Sequence, residues 1–340
     1  MKIQNFRIRR FKCIEDASID LRNINIIVGS NNSGKSSIIQ ALHFGISILQ
    51  SIKLAEKWTR KEPLIATLGP DEIIYSPALD PYTLGQGGKL VEGINRSILF
   101  DFTLEDGRAF SLEVAKGKNN NVQARLVNPA VAEALASLDN PFSIFSPGLA
   151  GVAKSEVFVS DGVLLRALAR GDANVILRNM LLRLWPMDDN RRRFSVDLSE
   201  LFPSIEIEVI FKDDIDEYIF VYVTSDGGRI PIELCGTGFL QAVQILCYLH
   251  RFRPSLIVLD EPDSHLHPNN QRIISNLLSK ISDELETQVV ITTHSRHIVD
   301  ALSGVAHYIW VQSGAASPAS AADQIEILMD LGALDLRERV

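Results

Sequence analysis

Cysteine is scarce in this chain. Cys13, Cys235 and Cys247 are its only thiols, odd in number and far apart, which excludes a disulfide framework and fits reduced thiols in a cytoplasmic protein. An excess of positive charge is also missing. The 340 residues carry a net charge of −8, so nucleic acid would have to meet a local basic patch rather than the whole surface. No run approaches the ~18 consecutive apolar residues of a membrane span. The basic, alternating start from Met1 to Lys12 lacks the apolar block of a signal peptide. Internal repeats and sustained heptads are absent as well. What remains is 46% hydrophobic and 22% charged, the balance of a globular chain with a large core. Its length exceeds one average domain of roughly 150 residues.

The apolar pattern alternates between strand and helix periods. Ile3, Phe6, Ile8 and Phe11 predict a strand, and Ile24 to Val28 a second one that runs into a glycine-bearing loop. Ser36 to Leu49 follows with helical spacing. Residues 64–95, rich in Pro and Gly, read as long loops, and strands are expected at 97–104 and 110–115. Between Pro129 and Pro186 the spacing turns helical, over Val131 to Leu138 and Asp161 to Leu184, with a loop from Pro141 to Gly151. Strands are expected again at 205–211, 218–224, 256–259, 288–292 and 308–311, and helices at 238–249, at 270–285 and near Ile298. A small-residue linker, Ser313 to Ala322, precedes a last amphipathic stretch from Ile325 to Leu331. The expected organisation is a lobe over 1–128, a mainly helical insertion over 129–200 and a second lobe over 201–340.

Gly29-Ser30-Asn31-Asn32-Ser33-Gly34-Lys35-Ser36 meets every fixed position of the phosphate-loop pattern, between an apolar strand and a periodic helix. Backbone N–H groups of such a loop face phosphate oxygens, and the helix N-terminus adds partial positive charge. Gly29, Asn31, Asn32, Ser33, Gly34, Lys35, Ser36 and Ser37 are therefore the expected nucleotide contacts. Lys35 would reach the β- and γ-phosphates, and the Ser36 hydroxyl would ligate Mg²⁺. Leu256 to Glu261 reads as a buried strand that ends in two carboxylates. Asp260 is expected to hold Mg²⁺ through water, and Glu261 to orient or deprotonate the attacking water. The proline after Glu261 stops the strand and fixes where that carboxylate points. Leu234 to Gln241 places Gly236, Thr237 and Gly238 just ahead of a helix, where unpaired N–H groups form a second anion site.

Together these segments resemble an ABC-type ATPase head of the SMC/RecF-like class. The resemblance implies an α/β P-loop NTPase fold, a mixed-sheet core with an antiparallel β subdomain, carrying the helical insertion. It also implies ATP and Mg²⁺ as cofactors and a homodimer or higher even oligomer, in which Gly236, Thr237 and Gly238 touch the γ-phosphate held by the other subunit. Cys235 stands where the family more often has serine. Val289 to Ser295 resembles the family's switch strand, whose histidine, here His294, senses the γ-phosphate. Asp263-Ser264-His265-Leu266-His267-Pro268 resembles the D-loop. Gln86 is a weak match to the Q-loop glutamine. More narrowly, Phe6 to Lys12, Asn31 to Ser36 and Asp260 to Pro268 resemble the ATPase part of OLD-family and PtuA-like defence proteins. That likeness implies a nuclease or toxin effector as partner and a role in antiphage defence.

OLD-type proteins add a nuclease with an Asp-x-Asp pair. Asp214-Ile215-Asp216 has that spacing, but it lies in a charged turn upstream of the glycine-rich anion segment, so no nuclease is expected within these residues. Lys2, Arg7, Arg9, Arg10 and Lys12 form one basic segment, and Arg178, Arg183, Arg191, Arg192 and Arg193 another, so DNA is carried as a further candidate partner. Two rival readings stay open: a RecF-like DNA clamp, and a scaffold that uses ATP mainly as a structural ligand.

Overall fold

The computed structural model describes residues 1–92, 96–148 and 151–319. In chain order, β1 (Ile3–Phe11), β2 (Ile14–Asp20) and β3 (Ile24–Val28) lead into α1 (Lys35–Leu54), then β4 (Leu64–Leu68), β5 (Ile98–Leu104), β6 (Ala109–Lys116) and β7 (Val122–Val127). Next come α2 (Pro129–Ala132), β8 (Ser143–Ser146), α3 (Asp161–Arg170), α4 (Leu177–Leu184) and α5 (Asp188–Leu201). The rest is β9 (Glu206–Ile210), β10 (Phe220–Ser225), β11 (Gly228–Pro231), α6 (Thr237–Phe252), β12 (Leu256–Asp260), α7 (Pro268–Leu285), β13 (Gln288–Thr292), α8 (Arg296–Leu302), β14 (His307–Gln312) and β15 (Ala315–Pro318).

Among the described residues these strands form two six-stranded sheets and one of three strands. The first, β2-β1-β5-β6-β7-β4, is antiparallel throughout. The second, β15-β14-β3-β13-β12-β8, is parallel except for the β14–β15 hairpin. β3, β12 and β13 are apolar along almost their whole length because both faces of a parallel sheet are covered. α1 covers one face and lies between the two large sheets, in contact with β1 and β4 on one side and β8, β12 and β13 on the other. By length and composition α1 could cross a membrane, but 78% of its most apolar window is buried inside the protein, as in a core helix. Apolar side chains of α4 to α8 cover the opposite face, where Ile257, Leu259, Val289 and Ile291 join Leu240, Val243, Leu277 and Ile298 in one core.

Several expectations need correction. Leu64 to Leu68 is an edge strand of the antiparallel sheet rather than a loop. The loop expected over 141–151 contains β8, which extends the parallel sheet by pairing with β12. Four residues are too few to show a period. The single helix expected over 161–184 is two, because Gly171 takes φ 77 and caps α3. Residues 188–201, read only for their charge, form α5. The expected linker at 313–322 includes β15, and the amphipathic stretch at 325–331 lies outside the described residues.

Candidate nucleotide-binding site

β3, β13 and β12 are adjacent and parallel, so their carboxyl ends open on the same edge. This topology joins segments far apart in sequence. The phosphate loop leaves β3, the carboxylate pair Asp260-Glu261 ends β12, and Thr292-Thr293-His294 ends β13. Gly34 takes φ 113 at the N-cap of α1, with no side-chain cap and no acid in the first turn, so the helix N-terminus keeps its capacity for an anion. The Lys35 ammonium donates to the carbonyls of Gly29 and Ser30, both at 2.9 Å, which curls the loop around it. Ser33 Oγ is buried without a hydrogen-bond partner. The turn of the β14–β15 hairpin braces the loop from behind, where Gly314 N–H donates to the Ser33 carbonyl at 2.8 Å.

Asp260 Oδ1 accepts from Thr292 Oγ1 at 2.5 Å. Burial pushes the Asp260 carboxyl above the usual carboxylate range, reinforced by the Glu261 charge and opposed by the Thr292 bond, the Lys35 charge and a hydrogen bond from Ser36. Ser36, Lys35 and Glu261 therefore all act on Asp260. Glu261 sits at φ 48, and its N–H donates to Thr292 O and Oγ1, each at 3.1 Å. Its Oε1 lies 3.5 Å from His294 Nε2, with both side chains partly open to solvent. Thr293 Oγ1 donates to Asp263 at 2.7 Å, and burial pushes that carboxyl up as well. Thr292 and Thr293 are functional neighbours that the sequence reading passed over; two hydroxyls directly before His294, at the end of an apolar strand, were the available signal.

Gly236 is the N-cap of α6, again with no side-chain cap and no acid in the first turn, and Thr237 is the first helical residue. A Cβ on Gly238 would collide with the His265 carbonyl oxygen, so α6 and the 263–267 segment approach more closely than any other residue type permits. Among the described residues, Gly236 accepts from Leu240 N–H within α6 and Gly238 abuts this segment, with no hydrogen bond to the phosphate loop. Burial, helped by the Glu233 charge, pushes the Cys235 thiol up to about 11, so it is no thiolate nucleophile. His267 caps α7 through Nδ1, which accepts from Asn269 N–H at 3.3 Å. Gln86 is exposed on a tight turn beside the end of β1. Asp216 closes its own exposed turn by accepting from Lys212 N–H at 2.8 Å.

The expected basic patches are neutralised in part, while Arg10 donates to the Ser97 carbonyl and Arg192 and Arg193 stand exposed on α5. Arg7 forks onto Asp16, Arg9 pairs with Asp101, Arg178 with Glu233, Arg183 with Asp161 and Arg191 with Asp188. The β1–β2 hairpin supplies the first acid, which a reading along the chain cannot see.

With these arrangements in view, the chain matches known proteins at several levels. A family model described as "AAA domain, putative AbiEii toxin, Type IV TA system" covers residues 101–300. The chain belongs to this AAA family. A second model, an AAA ATPase domain, covers residues 1–55 of the AAA-domain chain, including the phosphate loop. An ATP/GTP phosphatase of Helicobacter pylori is 24% identical over 89% of this chain and 88% of its own length. The lipoprotein-releasing ATP-binding protein LolD of Buchnera aphidicola is 35% identical over 23% of this chain, and the match spans only about a third of the LolD length (34%). Among solved structures, the SMC head bound to the C-terminal winged-helix domain of ScpA aligns over 96% of the chain with a TM-score of 0.54 at 16% identity. The SMC head of Thermotoga maritima aligns over 94% at 0.50 and 18% identity. The protein is thus an ATP-binding AAA-type ATPase domain with the fold of an SMC head.

Proposed function

We propose that this protein hydrolyses ATP with Mg²⁺ between two copies of itself, and that ATP-driven closure controls an associated effector protein. The observation that carries the reading is the joint action of Ser36, Lys35 and Glu261 on Asp260 at one sheet edge, with His294 beside Glu261. The residues fit the cofactors. A serine hydroxyl next to a carboxylate offers the hard oxygen donors that Mg²⁺ prefers. The unpartnered Ser33 hydroxyl and the uncapped α1 N-terminus suit phosphate oxygens. Bound Mg²⁺ supplies charge neutralisation on the transferred phosphoryl group.

In this reading Gly29, Asn31 to Ser33, Gly34, Lys35, Ser36 and Ser37 hold the nucleotide, while Ser36 and Asp260 hold the metal. Glu261 orients the attacking water and takes up its proton, and His294 steadies that carboxylate. Gly236, Thr237 and Gly238 approach the partner's nucleotide. One lobe of the head is the antiparallel sheet, the other the parallel sheet in which β3 and β8 join β12, β13 and β14, and α3 to α5 form the inserted region. Closure needs only about 5 kcal/mol of differential ATP binding to move a two-state balance from mostly open to mostly closed.

The toxin–antitoxin wording of the matched family supports an effector or toxin partner, and the resemblance to OLD-family and PtuA-like ATPases supports antiphage defence in the cytoplasm. The solved SMC head with its ScpA domain supports a protein partner in general. DNA is not included in the proposal because acids of the chain pair with Arg7, Arg9, Arg178, Arg183 and Arg191, which reduces the positive surface that pointed to it. The test is light scattering with ATP on Glu261→Gln beside turnover on the native chain. A stable dimer of the variant and Mg²⁺-dependent phosphate release by the native chain are expected. A native chain that binds ATP without ever releasing phosphate would leave only the scaffold role.

A further inference from the structure

Gly236 to Gly238 owe their position to the residues just before them. The tight turn Ile232–Leu234 closes with Cys235 N–H donating to the Ile232 carbonyl at 3.0 Å. Ile232 is fully buried, whereas Leu234 is 69% exposed and holds nothing in place. The polar anchor of this turn is Glu233, whose Oε2 accepts from Arg178 Nη2 at 2.7 Å.

Arg178 is itself immobilised. It lies in the first turn of α4 with 2% of its surface exposed, and its Nη1 donates to the Ala153 carbonyl at 2.9 Å. The α4 N-terminus is held by a carboxylate from a separate loop. Glu156 accepts from Arg178 N–H at 2.8 Å, from Asn179 N–H at 2.7 Å and from Asn179 Nδ2 at 2.7 Å. A buried guanidinium that donates to Ala153 O, Lys154 O and Glu233 Oε2 moves only if α4 and the 153–157 loop move together. A chain of charge-assisted bonds thus runs from the α4 N-terminus to the turn ahead of Gly236.

We propose that Glu233, held by Arg178, is a positioning residue for the Gly236–Gly238 segment: the ion pair fixes where the anion-binding end of α6 points and so couples the inserted helices to nucleotide-driven closure. This rests on the reading that Gly236 to Gly238 meet the partner's nucleotide. The phosphate loop shares no hydrogen bond with the pair among the described residues, so nucleotide capture by a single chain does not depend on it.

The experiment compares Glu233→Ala with Glu233→Gln, each alone and in the Glu261→Gln background. Glu233 lines a cavity of about 320 Å³ through which water can reach Arg178 once the carboxylate is removed, and a melting curve of each variant checks that it folds. Glu233→Ala is expected to bind a fluorescent ATP analogue within about twofold of the native Kd, yet to lose about tenfold in kcat, the scale of one lost charge-assisted hydrogen bond. In the Glu261→Gln background it should shift the ATP-induced dimer back towards monomer. Glu233→Gln keeps an acceptor for Arg178 and should recover most of both. Hydrogen exchange gives a readout independent of turnover, with faster exchange expected at 232–241 and none of the same change at 29–40. Native kcat and native dimerisation in Glu233→Ala would overturn the proposal, as would equal losses in the alanine and glutamine variants. Failure of Lys35→Ala to abolish nucleotide binding would instead sink the ATP reading beneath it.

Discussion

The two anion-binding helix ends of this molecule are built differently. At α1, side chains of the helix's first turn meet those of two neighbouring strand ends: Lys35 holds its own loop, Ser36 and Thr292 hold Asp260, and a hairpin turn braces the loop from behind. At α6, the glycines have no side-chain cap and are fixed by a backbone contact with His265 and by the Glu233 tether. The first end is assembled within one chain. The second is held against the 261–267 segment of its own chain, where Gln241 Nε2 donates to the Glu261 carbonyl at 3.5 Å. Among the described residues no hydrogen bond joins its glycines to the phosphate loop, an arrangement compatible with a surface completed by another copy. Capture and turnover should therefore separate under mutation.

The largest separation is expected at the first end. Lys35→Ala removes the ammonium that organises the loop and should weaken ATP binding more than 100-fold, measured by titration with a fluorescent analogue. Native-like binding would break the distinction outright. Next comes Glu261→Gln, which should keep ATP affinity while lowering kcat by about 10²–10⁴, the usual worth of a positioned base. A phosphate-release assay at saturating ATP decides it, and turnover at the native rate would remove Glu261 from the chemistry. A smaller effect is expected at the second end. Gly238→Ala must push α6 away from the His265 carbonyl, costing about 1–3 kcal/mol by the scale of overpacked sites. Thermal melting should show that loss, with single-chain nucleotide binding kept.

How much of this was legible in the sequence follows the same division. The phosphate loop and the Asp260-Glu261 strand end could be read because each carries its chemistry within a few consecutive residues. The P-loop NTPase fold was implied by the resemblance of these segments to an ABC-type ATPase head. What escaped depends on pairing across the fold. β8 is invisible alone because four residues have no period, and it becomes a strand only when β12 lies beside it. Thr292 and Thr293 gain a role only when β13 enters the sheet between β3 and β12. The basic segment at Arg7 and Arg9 looked unpaired until β2 and β5 brought Asp16 and Asp101 alongside. The tether at Arg178 and Glu233 joins residues that no local pattern connects.

The smallest expected effect sharpens the comparison from the side of stability. Asp260 is buried beside Glu261, and its carboxyl is held above the usual range despite the opposing Thr292, Lys35 and Ser36 contacts. A carboxyl raised in the folded state binds its proton more tightly there than in the unfolded chain. Its charged form therefore costs stability at pH values above both pKa values, and that cost disappears as pH falls through the raised value towards the unfolded one near 4. Asp260→Asn removes the charge and leaves an oxygen for Thr292. It should raise the melting temperature by roughly 1–3 °C at pH 7.5, with the gain shrinking as the buffer is taken towards pH 4. The same variant should lose ATP turnover, since the oxygen donor that suits Mg²⁺ is weakened. A drop in melting temperature at pH 7.5 would mean that the Lys35, Ser36 and Thr292 contacts more than offset the desolvation of Asp260. The α1 end would then be a net source of stability rather than a site that holds a buried charge at a cost.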